Sequence, residues 1–315
     1  DSVGLITARN GIVVGTGITL SKDGDIFATG VTTATTFVGN VTSGKTGIGF
    51  TDSNIKVGNT ALDSLTTGTH NTAVGHNALT ANTTGNRNTA VGRHALTSNT
   101  TSLDNTGVGY HALEQNTTGA ENTAVGSYSL DANTTSSANT AVGYVALTSN
   151  TTGGNNTAIG QQSLQSSTTT SNNTALGKDA LRYFTASNNT AIGVDAMQGA
   201  SGSSTGGNNV AIGMNALLSD TTGTNNVAVG ANAADANTTG GYNIAVGQNS
   251  LGANTTGNYN IAIGQDALAN NNADNNTAVG RSALVSNTTG ADLTAVGANA
   301  LDANTTGIRN IAVGS

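Results

Sequence analysis

From residue 54 onward the chain repeats one pattern of apolar and polar positions. Asn71-Thr72-Ala73-Val74-Gly75 returns as Asn88-Thr89-Ala90-Val91-Gly92, then at 122–126, 139–143 and, with Ile for Val, at 156–160. Its glycine sets the period: positions 58, 75, 92, 109, 126, 143, 160, 177, 193, 213, 230, 247, 264, 280, 297 and 314. The step is 17 residues, except 16 before Gly193, 20 before Gly213 and 16 before Gly280. The unit reads N-[TVI]-A-[VIL]-G-x-x-A-L-x-x-N-T-T-G-x-x, and its columns are numbered here from the leading Asn.

Column four is Val, Ile or Leu in every copy, and column nine is Leu with few departures, Met197 and Ala234 among them. These two columns are the expected core, represented by Val74, Leu79, Val91, Leu96, Val125, Leu130, Ile159 and Leu164. Column two, Thr at first (Thr72, Thr89) and Val or Ile later (Val210, Val227, Ile244, Ile261), shares the strand face of column four. The Ala of column three lies on the opposite face. Glycines 75, 92, 126 and 143 suit a bend or a close backbone approach. Asn82-Thr83-Thr84-Gly85 is a turn signal, because Asn tolerates the left-handed region and Gly supplies positive φ. The pattern predicts a short strand, a bend, a second short apolar strand and a turn. No helical period is sustained.

Seventeen residues suit one coil of a solenoid. The expected fold is all-β, a parallel β-solenoid (β-roll) of about sixteen coils over residues 54–315. At about 4.8 Å per coil it would extend roughly 75–80 Å, with the Asn71, Asn88, Asn105 and Asn122 amides stacked along the axis. An Ala column facing outward would be covered by association, so a homotrimer is expected. Residues 1–53 differ: Gly4–Val14 is rich in β-branched residues, Ser21–Asp25 is a turn, and Phe27, Phe37 and Phe50 fall here. This segment is expected to be a β-rich cap or tether. Asp1 and the mid-unit Ser315 lead to the expectation of an excerpt from a longer chain.

Composition narrows the function. The 315 residues hold 43 Gly, no Cys, Pro or Trp, and 9% charged residues, with net charge −7. Ten Lys and Arg over such a length form no basic patch, which argues against nucleic-acid binding. The absence of Cys excludes disulfides, thiolate metal sites and a Cys nucleophile. No apolar run approaches the roughly 20 residues of a membrane span. No catalytic constellation or cofactor motif separates from the repeat, so neither an enzyme nor a cofactor is expected.

The unit from Asn71 to Leu79 resembles the head repeats of trimeric autotransporter adhesins, which are left-handed parallel β-rolls. With its N-T-T-G turn it is still more similar to repeats in phage tail fibres and tail-fibre-like bacterial surface proteins. Such proteins often end in a self-cleaving chaperone region, which is not seen in this sequence. The segment Gly30-Val31-Thr32-Thr33-Ala34-Thr35-Thr36-Phe37-Val38-Gly39 resembles linking segments of cyanophage virion fibres. These resemblances imply a structural fibre: the shaft or head of a phage tail fibre or related virion appendage, projecting a host-binding tip. The alternative reading is a bacterial cell-surface trimeric adhesin or an extracellular matrix filament.

Some residues invite sharper hypotheses. Exposed Tyr110, Tyr144, Tyr242 and Tyr259 could stack on a host cell-surface glycan or protein. The loop insertion between Gly193 and Gly213 is another place for flank binding. His94 and His111 share a column, which predicts rings within about 5 Å, yet no third metal ligand repeats with them. Asp131, Asp235 and Asp302 share another column and read as turn caps. Asn-Thr-Thr at Asn82, Asn99 and Asn116 is formally a glycosylation acceptor, although a turn built of Asn and Thr produces that motif by itself. A Thr ladder on a flat face suggests ice binding, but column two loses its Thr at Val210 to Ile261.

Overall fold

The computed structural model describes residues 48–51, 53–201 and 204–314. Strand β1 (Ile48–Thr51) pairs antiparallel with β2 (Asn54–Val57), so the sheet already begins before residue 54. From β2 through β3 (Thr72–Val74) to β17 (Ile311–Val313), one strand per coil joins a single parallel sheet. The protein is thus an all-β parallel β-solenoid of about fifteen turns, with no helix among the described residues. The register does not slip: Thr72 faces Thr89, Ala73 faces Ala90 and Val74 faces Val91. It holds across the irregular coils too, where Ile192 faces Ile212 and Ile263 faces Val279. The expected strands, turn and cap role within residues 1–47 lie outside the described residues.

Each coil contains one strand rather than two. The Ala-Leu segment expected as a second strand runs through tight turns: Ala78 N–H donates to Gly75 O at 3.4 Å and Asn82 N–H to Leu79 O at 3.1 Å. The coil must reverse direction within a few residues, and it does so with left-handed residues. In the coil around Leu79, φ is +59° at His70 and Asn77 and +52° at Leu79 itself. A left-handed non-glycine residue costs roughly 1–2 kcal/mol, which burial of a Leu side chain at roughly 1.5–3 kcal/mol offsets. The turns still bond along the axis, with Leu79 N–H donating to Ala95 O at 3.1 Å.

The core differs from expectation in half of its members. Leu79, Leu96, Leu130 and Leu164 are fully buried. Val74 is only half-buried, while Val91, Val125 and Ile159 are exposed to 36–37%. Their place inside is taken by alanine: Ala73, Ala90, Ala124 and Ala158 of column three, and Ala78 and Ala95 of column eight, have no exposed surface. The reason is width. A coil this short leaves room for one large side chain, so the Leu occupies it and the opposing wall is small. Gly107, which replaces Ala in column three, shows the fit: a Cβ there would lie 3.2 Å from Leu96 Cγ. With the alanines inside, the argument for a trimer based on an exposed Ala column no longer applies.

Column five accepts only glycine. Gly143 has φ +137°, and a Cβ on it would meet the Gly160 carbonyl oxygen of the next coil at 2.5 Å. The same pattern, with positive φ and direct overlap with the next glycine's carbonyl, holds at Gly75, Gly92 and Gly126.

Two columns of buried Asn tie the coils together. In column one, Asn88 N–H donates to Asn71 Oδ1 at 3.0 Å, while Asn71 Nδ2 reaches across its own coil to Gly85 O at 2.8 Å. Column twelve is an amide ladder: Asn99 to Asn82 and Asn116 to Asn99 at 3.0 Å, Asn133 to Asn116 at 2.8 Å and Asn150 to Asn133 at 3.2 Å. Then Ser167, Phe184 and Ser204 interrupt it, and it resumes with Asn237 donating to Asp220 at 2.9 Å. Buried oxygens left without a partner occur at Asn150, Asp220 and Asn254, all in this column. Asn150 faces the coil of Ser167, and Asn254 faces a 16-residue coil whose Asn271 amide turns to Ala273 O.

Asp220 occupies a buried amide position as a carboxyl group. Burial pushes its pKa up to about 8, against the opposing hydrogen bonds from Asn237 and Gly223. Between about pH 4 and pH 8 the folded coil therefore retains a proton that the unfolded chain releases. Stability is expected to fall as pH rises through that window, by up to about 1.4 kcal/mol per pH unit. Asp220→Asn should flatten this dependence. Melting curves at about pH 5 and about pH 9 check it, and parallel shifts in both proteins would contradict it.

Candidate functional site

The side chains of columns six and seven leave the coil at the corner after the glycine and stack from coil to coil. In column seven, His94 and His111 lie 4.9 Å apart between ring centroids, as expected from their spacing, and Tyr128 continues the stack 5.1 Å from His111. His76 of column six meets His94 edge-on at 5.7 Å. Tyr110 packs edge-on against His111 at 4.0 Å and against Tyr128 at 5.3 Å, and Arg93 lies 5.7 Å from the Tyr110 ring centre. The result is an aromatic stripe across successive coils.

Glu114, on the turn three residues beyond His111, receives a hydrogen bond from His111 Nδ1 and lies 3.9 Å from His94 Nδ1. Burial first, then the Arg93 cation and His111, lowers the His94 pKa. The Tyr110 hydroxyl beside Tyr128 raises that phenol's pKa. Among the described residues, no group of three or more His, Asp or Glu is arranged to hold a metal ion. Tyr128 and Glu114 were not singled out from sequence. The available signal was position: Tyr128 is 17 residues beyond His111 in the same column.

The four expected tyrosines fall into two separate places. Tyr110 and Tyr144 lie on the column-six corner, two coils apart, or about 10 Å. Tyr242 and Tyr259 sit in column seventeen, at the corner before the strand, with rings stacked at 5.1 Å and 13°. All four are exposed. The corner around Tyr110 adds a guanidinium and a carboxylate to its rings, so it offers both stacking and hydrogen bonding to a polyhydroxylated ligand. Near the insertion, Phe184 fills the column-twelve position in the interior and its backbone pairs with Ser204.

Two further readings are now decided by burial and bonding. The amides of Asn82, Asn99 and Asn116 are fully buried in the column-twelve ladder, so glycan attachment there would require opening the coil. Asp131 receives the Thr148 hydroxyl of the next coil at 2.6 Å and so links coils, with burial raising its pKa. Burial likewise raises Asp235, whereas Asp302 is exposed. No helix among the described residues is long and apolar enough to cross a membrane. No protein-family model matches the chain, and no curated protein matches it in sequence.

Proposed function

We propose that the chain is a shaft segment of a virion appendage, a tail fibre or a related structure, which holds a host-binding tip away from the particle. The observation that supports this reading is the unbroken register of the parallel sheet, maintained even through the 16- and 20-residue coils. Continuous axial bonding in backbone and side-chain ladders makes a stiff spacer, because bending must stretch several columns of hydrogen bonds together. The repeat's similarity to tail-fibre repeats supports placing that spacer on a virion surface.

A second reading, a bacterial cell-surface adhesin or matrix filament, is favoured by one specific feature. The stripe around Tyr110, His111 and Tyr128 gives the flank itself a surface suited to a host glycan or protein. Immunogold electron microscopy with an antibody against the repeat separates the readings. Label on virion appendages is expected, and label confined to cells or detached filaments would replace the shaft with the adhesin.

A further inference from the structure

The chain has six tyrosines and neither Cys nor Trp. A phenol is then the side chain that gives up a single electron most readily, whereas the two Met residues take up oxygen instead. Phenoxyl radicals formed side by side join through carbon. Among the described residues two tyrosine pairs have rings in contact, Tyr110 with Tyr128 at 5.3 Å and Tyr242 with Tyr259 at 5.1 Å. Tyr128 is half-buried and the other three are exposed, so both pairs are open to an oxidant.

Offset, not distance, separates the two pairs. Tyr242 and Tyr259 share column seventeen, so one coil step of about 4.8 Å lies between their main chains, and their rings are parallel within 13°. Coupling at the carbons beside the hydroxyls sets two rings edge to edge and holds their Cβ atoms well beyond that step. Rings stacked face to face on one column reach such a product only if the coils part. Tyr110 and Tyr128 occupy columns six and seven, so a step along the chain is added to the step between coils. Tyr128 N–H donates to Tyr110 O at 2.8 Å and fixes this diagonal. The rings cross at 86°, and the two hydroxyls share a hydrogen bond. A coupled pair has twisted rings whose hydroxyls flank the new bond and share the same hydrogen bond. His111 packs on both rings, at 4.0 and 5.1 Å, and holds them there.

We propose that Tyr110 and Tyr128 form an oxidative coupling site that staples their two coils, with hydrogen peroxide and a haem peroxidase as the class of oxidant. Each phenol yields one electron and one proton, and the peroxide is reduced to two waters. The two radicals pair to form one carbon–carbon bond, and the hydrogens displaced from those ring carbons return to the oxygens through solvent. Both phenols are restored, and the chain has lost two hydrogens. The bond closes the segment between the two residues into a loop. It restricts the unfolded chain as a disulfide would, in a sequence that has no Cys. This goes beyond the shaft reading and does not depend on it, because the site lies within one chain.

The test is oxidation of the whole chain, at high dilution, with hydrogen peroxide and a haem peroxidase. The mass of one chain less two hydrogens is expected, together with dityrosine fluorescence. Tandem mass spectrometry of a protease digest should place the bond between Tyr110 and Tyr128. Tyr128→Phe keeps the ring and should abolish this product, while Tyr242→Phe should leave it at wild-type yield. The oxidised chain should also melt at a higher temperature than the unmodified one. No loss of two hydrogens, or a bond found instead between chains or at Tyr242–Tyr259, overturns the site. An equal yield from chain oxidised in denaturant overturns selection of the pair by the fold. A melting temperature unchanged by coupling overturns the staple.

Discussion

Leu130→Asp is expected to unfold the coils around it, whereas Val125→Asp, in the same coil, should leave the fold standing. Both residues occupy apolar columns, but Leu130 has no exposed surface and Val125 retains 37%. Truncating a buried Leu to Ala costs about 2–5 kcal/mol, and a carboxylate in the same space adds an unpaired charge. Leu130 pays a backbone cost as well, at φ +51°, which only the burial of its side chain offsets. Limited proteolysis should cut the Leu130→Asp chain within the neighbouring coils and spare the Val125→Asp chain. Equal resistance in the two variants would contradict the assignment of alanine and leucine to the interior.

The second large effect is expected from Gly126→Ala, a change of one methyl group. Gly126 has φ +138°, a conformation that side chains avoid at a cost of about 1–3 kcal/mol. The added Cβ also overlaps the Gly143 carbonyl, which is backbone and cannot swing aside. Relief requires the coils to separate locally, and that weakens the Gly126 N–H to Val108 O and Gly143 N–H to Val125 O bonds, both 2.8 Å. Together these effects should reach several kcal/mol, a size reserved for named disruptions of this kind. Thermal melting checks it. The comparison is Gly154→Ala, at a glycine whose negative or extended backbone admits a side chain and whose nearest clash is a single contact at 3.1 Å. A drop no larger than that of Gly154→Ala would show that column five is not held by this overlap.

The stacking was legible because a strict period sends every coil to the same place. Parallel strands, registered columns and the His94–His111 contact all follow from counting by seventeen. Inside from outside was harder to read. Alternation correctly set columns two and four opposite column three, but bulk suggested the wrong face inward. The decisive constraint was the coil's interior width, fixed by the left-handed Leu79, and Leu gives no local signal for that conformation. Asn does give one, and Asn77 and Asn155 sit at recurring left-handed positions. At the flank, the tyrosines were visible as residue types. The grouping of Tyr110 with Tyr128, and of His111 with Glu114, depended on which corner each column occupies, which the second-strand reading had obscured.

The interruption of the amide column has a consequence for how the solenoid comes apart. Asn82 to Asn150 form one continuous run, a second joins Asp220, Asn237 and Asn254, and a third joins Asn271, Asn287 and Asn304 beyond the break at Asn254. Between the first and second runs the coils are joined by backbone ladders, by the column-one Asn bonds and by packing around Phe184, without the column-twelve bonds. Because each coil interacts only with its neighbours, unfolding spreads as a zipper, and a zipper pauses where the coupling between teeth changes. The amide runs therefore define separate cooperative blocks, with the wider seam at Ser167, Phe184 and Ser204 and a narrower one between Asn254 and Asn271. Under load along its axis, such a molecule would yield in steps rather than all at once, so that damage to one block leaves the others intact.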